Sequence, residues 1–415
     1  METLNVFFGQ IRVGSLSIND RRQFSFEYSR NWLASPDAFQ ISISLPMQED
    51  IFPHDTVKSF FSNLLPESAV RKLISKQLGI SDKNDFMLLK RIGGECAGAI
   101  SILPESKIPE SPDQYIYHSL SDKELADLIM HMPSRPLLAG QEGVRISLAG
   151  AQEKMALLYK DPEFYIPMNG VPSNVILKPD MAHFQASIEN ECFCMMLASA
   201  VDLNVPPVLI VRKEVQKVLL VKRYDRILNN DVLNRLHQED FCQAMGLSHE
   251  LKYQADGGPG LETCFDLIRT YSANPIKDFQ QLMKWVFFNF LIGNMDAHAK
   301  NISFIYQGKQ IQLAPFYDMM CTNIYEALSQ KLAMKIGGEN RPDWIMERHW
   351  EKFAKEIKIN KTVLQKRLVD FCLELIDEID STYADFIDRY QRNSLLDDII
   401  TNIKKRTHRT LKQLE

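Results

Sequence analysis

The feature that most constrains this chain is a change of period part-way along it. Between about 115 and 222, apolar stretches recur at strand length: VRISLAG, KMALLYK, NVILKP, VPPVLIV and KVLLVKRY. One helical interruption, NECFCMMLASAV, falls at roughly 187–202. From about 236 to the end the spacing is helical, as in FQQLMKWVFFNFLIGN and TVLQKRLVDFCLELIDEI. A sheet block followed by a helical block, each with its own core, predicts an α+β, bilobal chain. Residues 1–110 add a subdomain: LNVFFGQIRVGSLSI alternates around Gly9 and Gly14 as a β-hairpin would. DTVKSFFSNLLPESAVRKLISKQLGI then has helical spacing up to Gly79. LPESKIPESPDQ, rich in Pro, Ser and charge, marks a boundary near 104–114. The expected organisation is an N-terminal α/β subdomain (1–110), a strand-rich lobe (111–222) and a helical C-terminal lobe (223–415).

Composition removes several function classes. With 45% hydrophobic and 24% charged residues the chain is neither disordered nor fibrous. A net charge of −5 argues against coating nucleic acid unaided. METLNVFFGQIRVG lacks the cationic and apolar regions of a signal peptide, and the most apolar run, WVFFNFLIG, is too short to span a bilayer. Seven scattered cysteines without a CxxC pair suit reduced thiols and a cytoplasmic location, and Cys192 and Cys194 read as core.

Three glycine-rich turns compete as phosphate cradles: GGECAGA (93–99), SLAGAQEK (147–154) and DGGPG (256–260). SLAGAQEK stands out because it joins two predicted strands, its tip is small, and Lys154 lies on its exit side. Small side chains let backbone N–H groups approach an anion, and the lysine adds a point charge. It does not match the Walker pattern. Lys178 ends the apolar strand NVILKP, where its ammonium needs a partner or a path to solvent. The following helix offers Glu189 and Glu191; Glu191 is the better placed, and the sequence leaves both open. A strand lysine held by a helix glutamate is how protein kinases present a lysine to the α- and β-phosphates. Val221, Lys222, Arg223 and Tyr224 end the strand-rich block, where a backbone connector meets adenine in bilobal nucleotide enzymes; a plain inter-domain strand would look nearly the same.

GNMDAHAKN contains D-x-x-x-x-N from Asp296 to Asn301, the spacing of a kinase catalytic loop. There the Asp orients the attacking hydroxyl and the Asn binds Mg²⁺. Asp318, after the hairpin-like ISFIYQGKQIQLAPFY, would be the second metal carboxylate. Alone, the spacing fits any polar turn; the buried helix before it and the second Asp after it make it specific. Two departures stand out: His298 lies where most protein kinases have Lys, and Asp318 is followed by Met319 rather than Phe-Gly. Either Lys300 or His298 is a candidate for the γ-phosphate, and His298 is equally suited to a structural role. No spaced His/Cys set suggests zinc.

In order along the chain, GGECAGAI, VRISLAGAQEKMALL, VILKP, NE before a helix, VKRYDR, LHQEDFCQAMG, KYQADGGPG, GNMDAHAKN and LAPFYD resemble the HipA family of serine/threonine-kinase toxins from bacterial toxin–antitoxin modules. The resemblance runs from the amino terminus to about residue 340, and more loosely beyond. It implies a kinase fold related to protein and phosphoinositide kinases, using ATP and Mg²⁺. Carried onto this chain, Asp296 resembles the catalytic Asp, Asn301 and Asp318 the Mg²⁺ ligands, and Lys178 the phosphate lysine. Ala149, Gly150, Ala151, Gln152, Glu153 and Lys154 resemble the phosphate loop, and Ser147 the autophosphorylated serine whose modification inactivates the kinase. Glu95 stands where relatives often carry Asp. The implied substrate is an aminoacyl-tRNA synthetase such as glutamyl-tRNA synthetase. The implied partner is a HipB-like helix-turn-helix antitoxin, with operator DNA reached through that complex. The basic TNIKKRTHRTLKQLE reads as a solvated helix face, with phosphate contacts as the alternative. Two rival readings are a catalytically silent corepressor and a small-molecule phosphotransferase.

Overall fold

The alternation at the amino terminus folds as expected. Glu2–Phe8 pairs antiparallel with Ile11–Ile18, from Glu2 opposite Ile18 to Phe8 opposite Ile11. Gly9, at φ +56°, supplies the left-handed turn residue. In this computed structural model, which describes residues 1–414, the chain gathers into two units of discontinuous sequence. The first takes in Met1–Pro179, Val211–His249 and Phe304–Ile311; the second takes in Asp180–Ile210, Glu250–Ser303 and the chain from Gln312 onward.

In the first unit the hairpin belongs to a four-stranded sheet ordered Phe24–Tyr28, Ile11–Ile18, Glu2–Phe8, Ile100–Pro104. The helical stretch ending at Gly79 is two helices, His54–Ser62 and Ser68–Leu78. Pro66 lies in the break: it lacks an N–H to donate and disfavours helical geometry at Leu65. A six-stranded sheet is ordered Tyr117–Leu120, Glu163–Pro167, Met155–Lys160, Val175–Pro179, Gln216–Lys222, with Val208–Lys213 at the edge. The register of its centre puts Lys178 opposite Leu219 and Val221 opposite Ile176.

Two expectations are corrected here. VRISLAG is not a strand: its ladder contacts are isolated parallel bridges, Ile146 with Glu95 and Gly150 with Pro66. Single anchors on two different segments hold it as an extended loop. Beyond 236 the expected hairpin forms between Ser303–Gln307 and Gln310–Leu313, but the overwhelmingly helical reading misses a third strand of that sheet, His237–Asp240. HQED has no apolar alternation to reveal it, yet His237, Glu239 and Asp240 are buried.

The second unit is built around the helix Pro275–Ile292. Pro275 suits its first turn, and Trp285, Phe287 and Phe288 are among its buried residues. Phe287 and Phe290 meet Trp350 of the helix Glu347–Glu356 at ring-centroid distances of 5.7 and 5.3 Å. Fully burying one such ring contributes about 1.5–3 kcal/mol, so this cluster anchors the helix firmly. Gly293 ends it in the left-handed conformation, at φ +80°. A Cβ there would meet Asn323 Oδ1 at 2.3 Å, so the position requires glycine on two counts. The helices Ser187–Ala200, Lys361–Tyr390 and Ser394–Leu414 pack in the same unit. Among the described residues no helix is long and apolar enough to cross a membrane.

Candidate active site

The loop that follows Gly293 is held from beneath by Asn294. Its Oδ1 accepts from the Asp296 N–H at 3.0 Å, and its Nδ2 donates to Asn289 Oδ1 at 2.8 Å and to the Asp318 carbonyl at 3.4 Å. One buried amide therefore touches the backbone of both candidate carboxylate residues. Further stitches run the same way. Met295 N–H donates to Thr322 Oγ1 at 2.6 Å, and Asn323 N–H donates to the Gly293 carbonyl at 3.1 Å. Tyr317 Oη, next to Asp318, donates to the Lys300 carbonyl at 2.8 Å. Asp318 adopts φ +55°, a left-handed conformation that Asp tolerates better than most residues.

Asp296 keeps its side chain 54% exposed, while its neighbours are buried. Tyr253 donates to its Oδ1 at 2.6 Å, and the Tyr253 and His298 rings meet edge-on at 5.1 Å. His298 Nε2 lies 4.0 Å from Asp296 Oδ1. Asn301 donates its Nδ2 to the Asp296 carbonyl at 3.1 Å, so Oδ1 is the atom it would present to a cation. Asn301 Oδ1 and the Asp318 carboxylate are hard oxygen donors, few in number. That suits Mg²⁺, which keeps waters and takes its other ligands from phosphates. Among the described residues no cluster of three or more His, Cys, Asp or Glu forms an all-protein metal cage.

The helix Ser187–Ala200 brings Glu189, Asn190 and Glu191, all buried. Asn190, quoted in the NE pair but given no role there, lies inside the helix rather than before it and clasps the backbone of Cys321. Its Oδ1 accepts from the Cys321 N–H at 2.8 Å and its Nδ2 donates to the Cys321 carbonyl at 3.0 Å. Cys192 and Cys194 are core residues, with burial pushing the Cys192 thiol up to about 12. The basic terminal helix is engaged inside this unit. Lys404 meets Asp380 at 2.7 Å, Arg409 meets Asp343 at 3.1 Å, and Arg406 donates to the Leu291 carbonyl at 3.0 Å.

The first unit carries the other candidate residues. Ser147 is fully buried; its Oγ donates to the Leu64 carbonyl at 2.7 Å and its N–H to the Glu95 carbonyl at 2.8 Å. Gly150, at φ +109°, accepts at its carbonyl from Glu67 N–H at 3.0 Å. Lys154 folds its ammonium beneath the tip and donates to the Ala149 carbonyl at 2.6 Å, so Ala149–Lys154 is a closed loop braced by its own lysine. Lys178 is buried at the end of its strand. In the segment expected as the connector, Val221 is buried and Lys222 exposed. The Arg223 N–H donates to the Asn174 carbonyl at 2.9 Å, while its guanidinium turns inward. Tyr224 Oη bonds Gln238 Oε1.

Two of the three glycine turns serve packing instead. In DGGPG a Cβ on Gly258 would meet the Leu251 carbonyl at 2.1 Å, and Gly260 opens the helix Leu261–Tyr271. In GGECAGA a Cβ on Gly94 would meet the Arg145 Cβ at 2.8 Å. These glycines allow close approach of protein to protein.

Comparison with known proteins agrees with the expected family. A HipA N-terminal domain model matches residues 4–103 and a HipA-like C-terminal domain model matches 146–382. A putative kinase from Sinorhizobium fredii is 38% identical over 97% of this chain and 98% of its own length. A serine/threonine-protein kinase toxin HipA from Shewanella oneidensis is 29% identical over 95% of this chain and 94% of its own. Among solved structures, the Shewanella oneidensis HipA–HipB–operator DNA complex contains a chain that matches with a TM-score of 0.86 at 28% identity. That match covers 99% of this chain and 98% of the other. Motif order, domain models, full-length identity and fold agree, and the chain belongs to the HipA family.

Proposed function

We propose that the chain is an ATP- and Mg²⁺-dependent serine/threonine protein kinase that serves as the toxin of a toxin–antitoxin pair. The observation that carries this reading is Asn294, one amide bonded to the Asp296 N–H and the Asp318 carbonyl. Phosphoryl transfer asks a protein for little covalent chemistry; it needs a positioned hydroxyl and compensated phosphate charge. Asp296, exposed and oriented by Tyr253, receives the hydroxyl proton or orients that hydroxyl. Asn301 and Asp318 hold Mg²⁺, which when bound would offset phosphate charge. Ala149–Lys154 and Lys178 bind the phosphates, Glu191 belongs to the same ATP-binding set, and Val221–Tyr224 meets adenine. His298, packed on Tyr253, steadies the loop, and Lys300 lies beside Asn301.

Ser147 is the proposed autophosphorylation site. Its hydroxyl is bonded to the Leu64 carbonyl, so modification requires the segment to withdraw first. A phosphate there adds about −2 charge and does not fit the same buried position. The proposed substrate is an aminoacyl-tRNA synthetase, and the proposed partner a HipB-like antitoxin, by analogy with the family. The test is labelled phosphate transfer from γ-labelled ATP, with Asp296→Gln as control. Label on the wild-type chain or on a synthetase, absent from the variant, is the expected result. No Mg²⁺-dependent ATP binding and no label on either would falsify the reading.

A further inference from the structure

The GGECAGA turn, left without a role by the catalytic reading, contains a fully buried glutamate. Glu95 Oε1 accepts from four donors: Ser173 N–H at 2.6 Å, Ser173 Oγ at 2.9 Å, Arg223 Nη1 at 3.2 Å and Arg226 Nη2 at 3.2 Å. The turn's carbonyls take more of the same guanidinium groups. Cys96 accepts from Arg223 and Arg226 at 3.0 and 3.1 Å, and Gly98 accepts from Arg226 at 3.0 Å. Asp225 completes the cluster, pairing with both arginines at 2.8 Å and accepting from the Gly98 N–H at 2.7 Å. Two cations and two anions thus balance inside a site closed to water. Burial alone would raise the Glu95 carboxyl; the Arg223 and Arg226 guanidinium groups override it and hold it below the usual carboxylate range.

The backbone of the same residue faces the phosphate loop. Glu95 N–H donates to the Arg145 carbonyl at 2.8 Å, and its carbonyl accepts from Ser147 N–H at 2.8 Å. One residue thus grips two segments, the connector through its side chain and the approach to the loop through its main chain.

We infer that Glu95 is a positioning residue for nucleotide binding, fixing the connector Val221–Tyr224 and the Ser147 approach to Ala149–Lys154 relative to each other. This rests on reading those two segments as the nucleotide-binding ones. Removing the Glu95 charge leaves the buried cluster one positive charge in excess. The excess is relieved by withdrawing Arg223 or Arg226 from the turn, and Arg223 belongs to the connector itself. Misplacement of this kind, without loss of any group that touches the nucleotide, costs on the order of ten- to a hundredfold.

The experiment compares Glu95→Gln and Glu95→Asp with wild type by calorimetric titration with MgATP and by the rate of label transfer at saturating ATP. Glu95→Gln is expected to weaken MgATP binding at least about tenfold while changing the saturated rate much less. Glu95→Asp, which keeps the charge on a shorter arm, recovers most of the affinity. A residue that only filled space would give the opposite order, because Asp leaves the larger void. If Glu95→Gln does not fold, Arg226→Lys substitutes for it. That variant keeps the charge, loses the forked contacts to the turn, and is expected to weaken binding severalfold. MgATP affinity within twofold of wild type in the folded variants overturns the inference alone. A wild-type chain that binds no MgATP removes the nucleotide reading and this inference with it.

Discussion

At the scale of single residues, two side chains outside the D-x-x-x-x-N spacing bond Asp296. Asn294 is buried and its side-chain amide bonds Asp296, Asn289 and Asp318, so Asn294→Ala leaves the Asp296 N–H, Asn289 Oδ1 and the Asp318 carbonyl each one bond short. We expect the saturated rate of phosphate transfer to fall about ten- to a hundredfold, with MgATP affinity within a few-fold of wild type. Asn294→Asp keeps the acceptor for Asp296 and loses the donor to Asn289 and Asp318, so its rate should lie between. Equal rates for Asn294→Ala and wild type would remove Asn294 from the mechanism. Tyr253 offers a milder case: Tyr253→Phe deletes one hydrogen bond, worth about 1 kcal/mol net, and a rate loss of roughly fivefold is expected. Neither residue announces itself in the sequence. D-x-x-x-x-N is visible because its spacing is short; Tyr253 lies in KYQADGGPG, whose closeness to Asp296 is a product of folding.

At the scale of elements, the end of the helix Pro275–Ile292 sets where the loop begins. Gly293→Ala must place a Cβ against Asn323 in a left-handed conformation, so a loss of at least about 2 kcal/mol in unfolding free energy is expected on denaturant titration. Arg406 of the terminal helix donates to the Leu291 carbonyl of the last turn, which favours a cation there. The strand His237–Asp240 carries a different kind of prediction. Burial raises the Glu239 carboxyl to about 7, against the lowering effect of Ser42, Tyr306 and the Ile43 N–H. Burial also lowers His237 to about 4, opposed by its bond to the Ile41 carbonyl. A raised carboxyl binds its proton more tightly when folded, so Glu239 favours the folded state below its unfolded value and loses that contribution as pH rises through about 7. A depressed histidine acts in the opposite sense, its cost relieved as pH rises from about 4 towards 6.5. The two largely offset in wild type. In Glu239→Gln the His237 term is no longer offset by Glu239, and stability measured by urea titration should climb more steeply across pH 4 to 6.5 than in wild type. An unchanged slope in that variant would contradict the assignment.

At the scale of the whole molecule, nucleotide binding couples to stability by mass action. MgATP at about a hundred times its dissociation constant should add about 2.7 kcal/mol to the folded state, read as a shift in Tm. Asp296→Asn should keep that shift, because the role proposed for Asp296 is on the hydroxyl and not on the nucleotide; the double variant Asn301→Ala/Asp318→Ala should lose its Mg²⁺-dependent part. How far all this was legible in advance depends on the range of the interaction concerned. The α+β character, the amino-terminal hairpin, the helix Ser187–Ala200 and the candidate Asp296, Asn301 and Asp318 follow from the sequence by itself. They rest on periodicity and spacing, which act between residues a few positions apart. The order of motifs likewise pointed to the HipA family. What only the tertiary structure decided is who holds those residues: Asn190 on Cys321, Tyr253 on Asp296, Arg406 on Leu291 and Glu95 on Arg223. These pairs join positions 131, 43, 115 and 128 residues apart, in that order. Buried polar groups must find partners somewhere, but the sequence carries no local pattern that says where. The HQED strand and the non-strand VRISLAG fail for the same reason, since their pairing is set by segments far away in the chain.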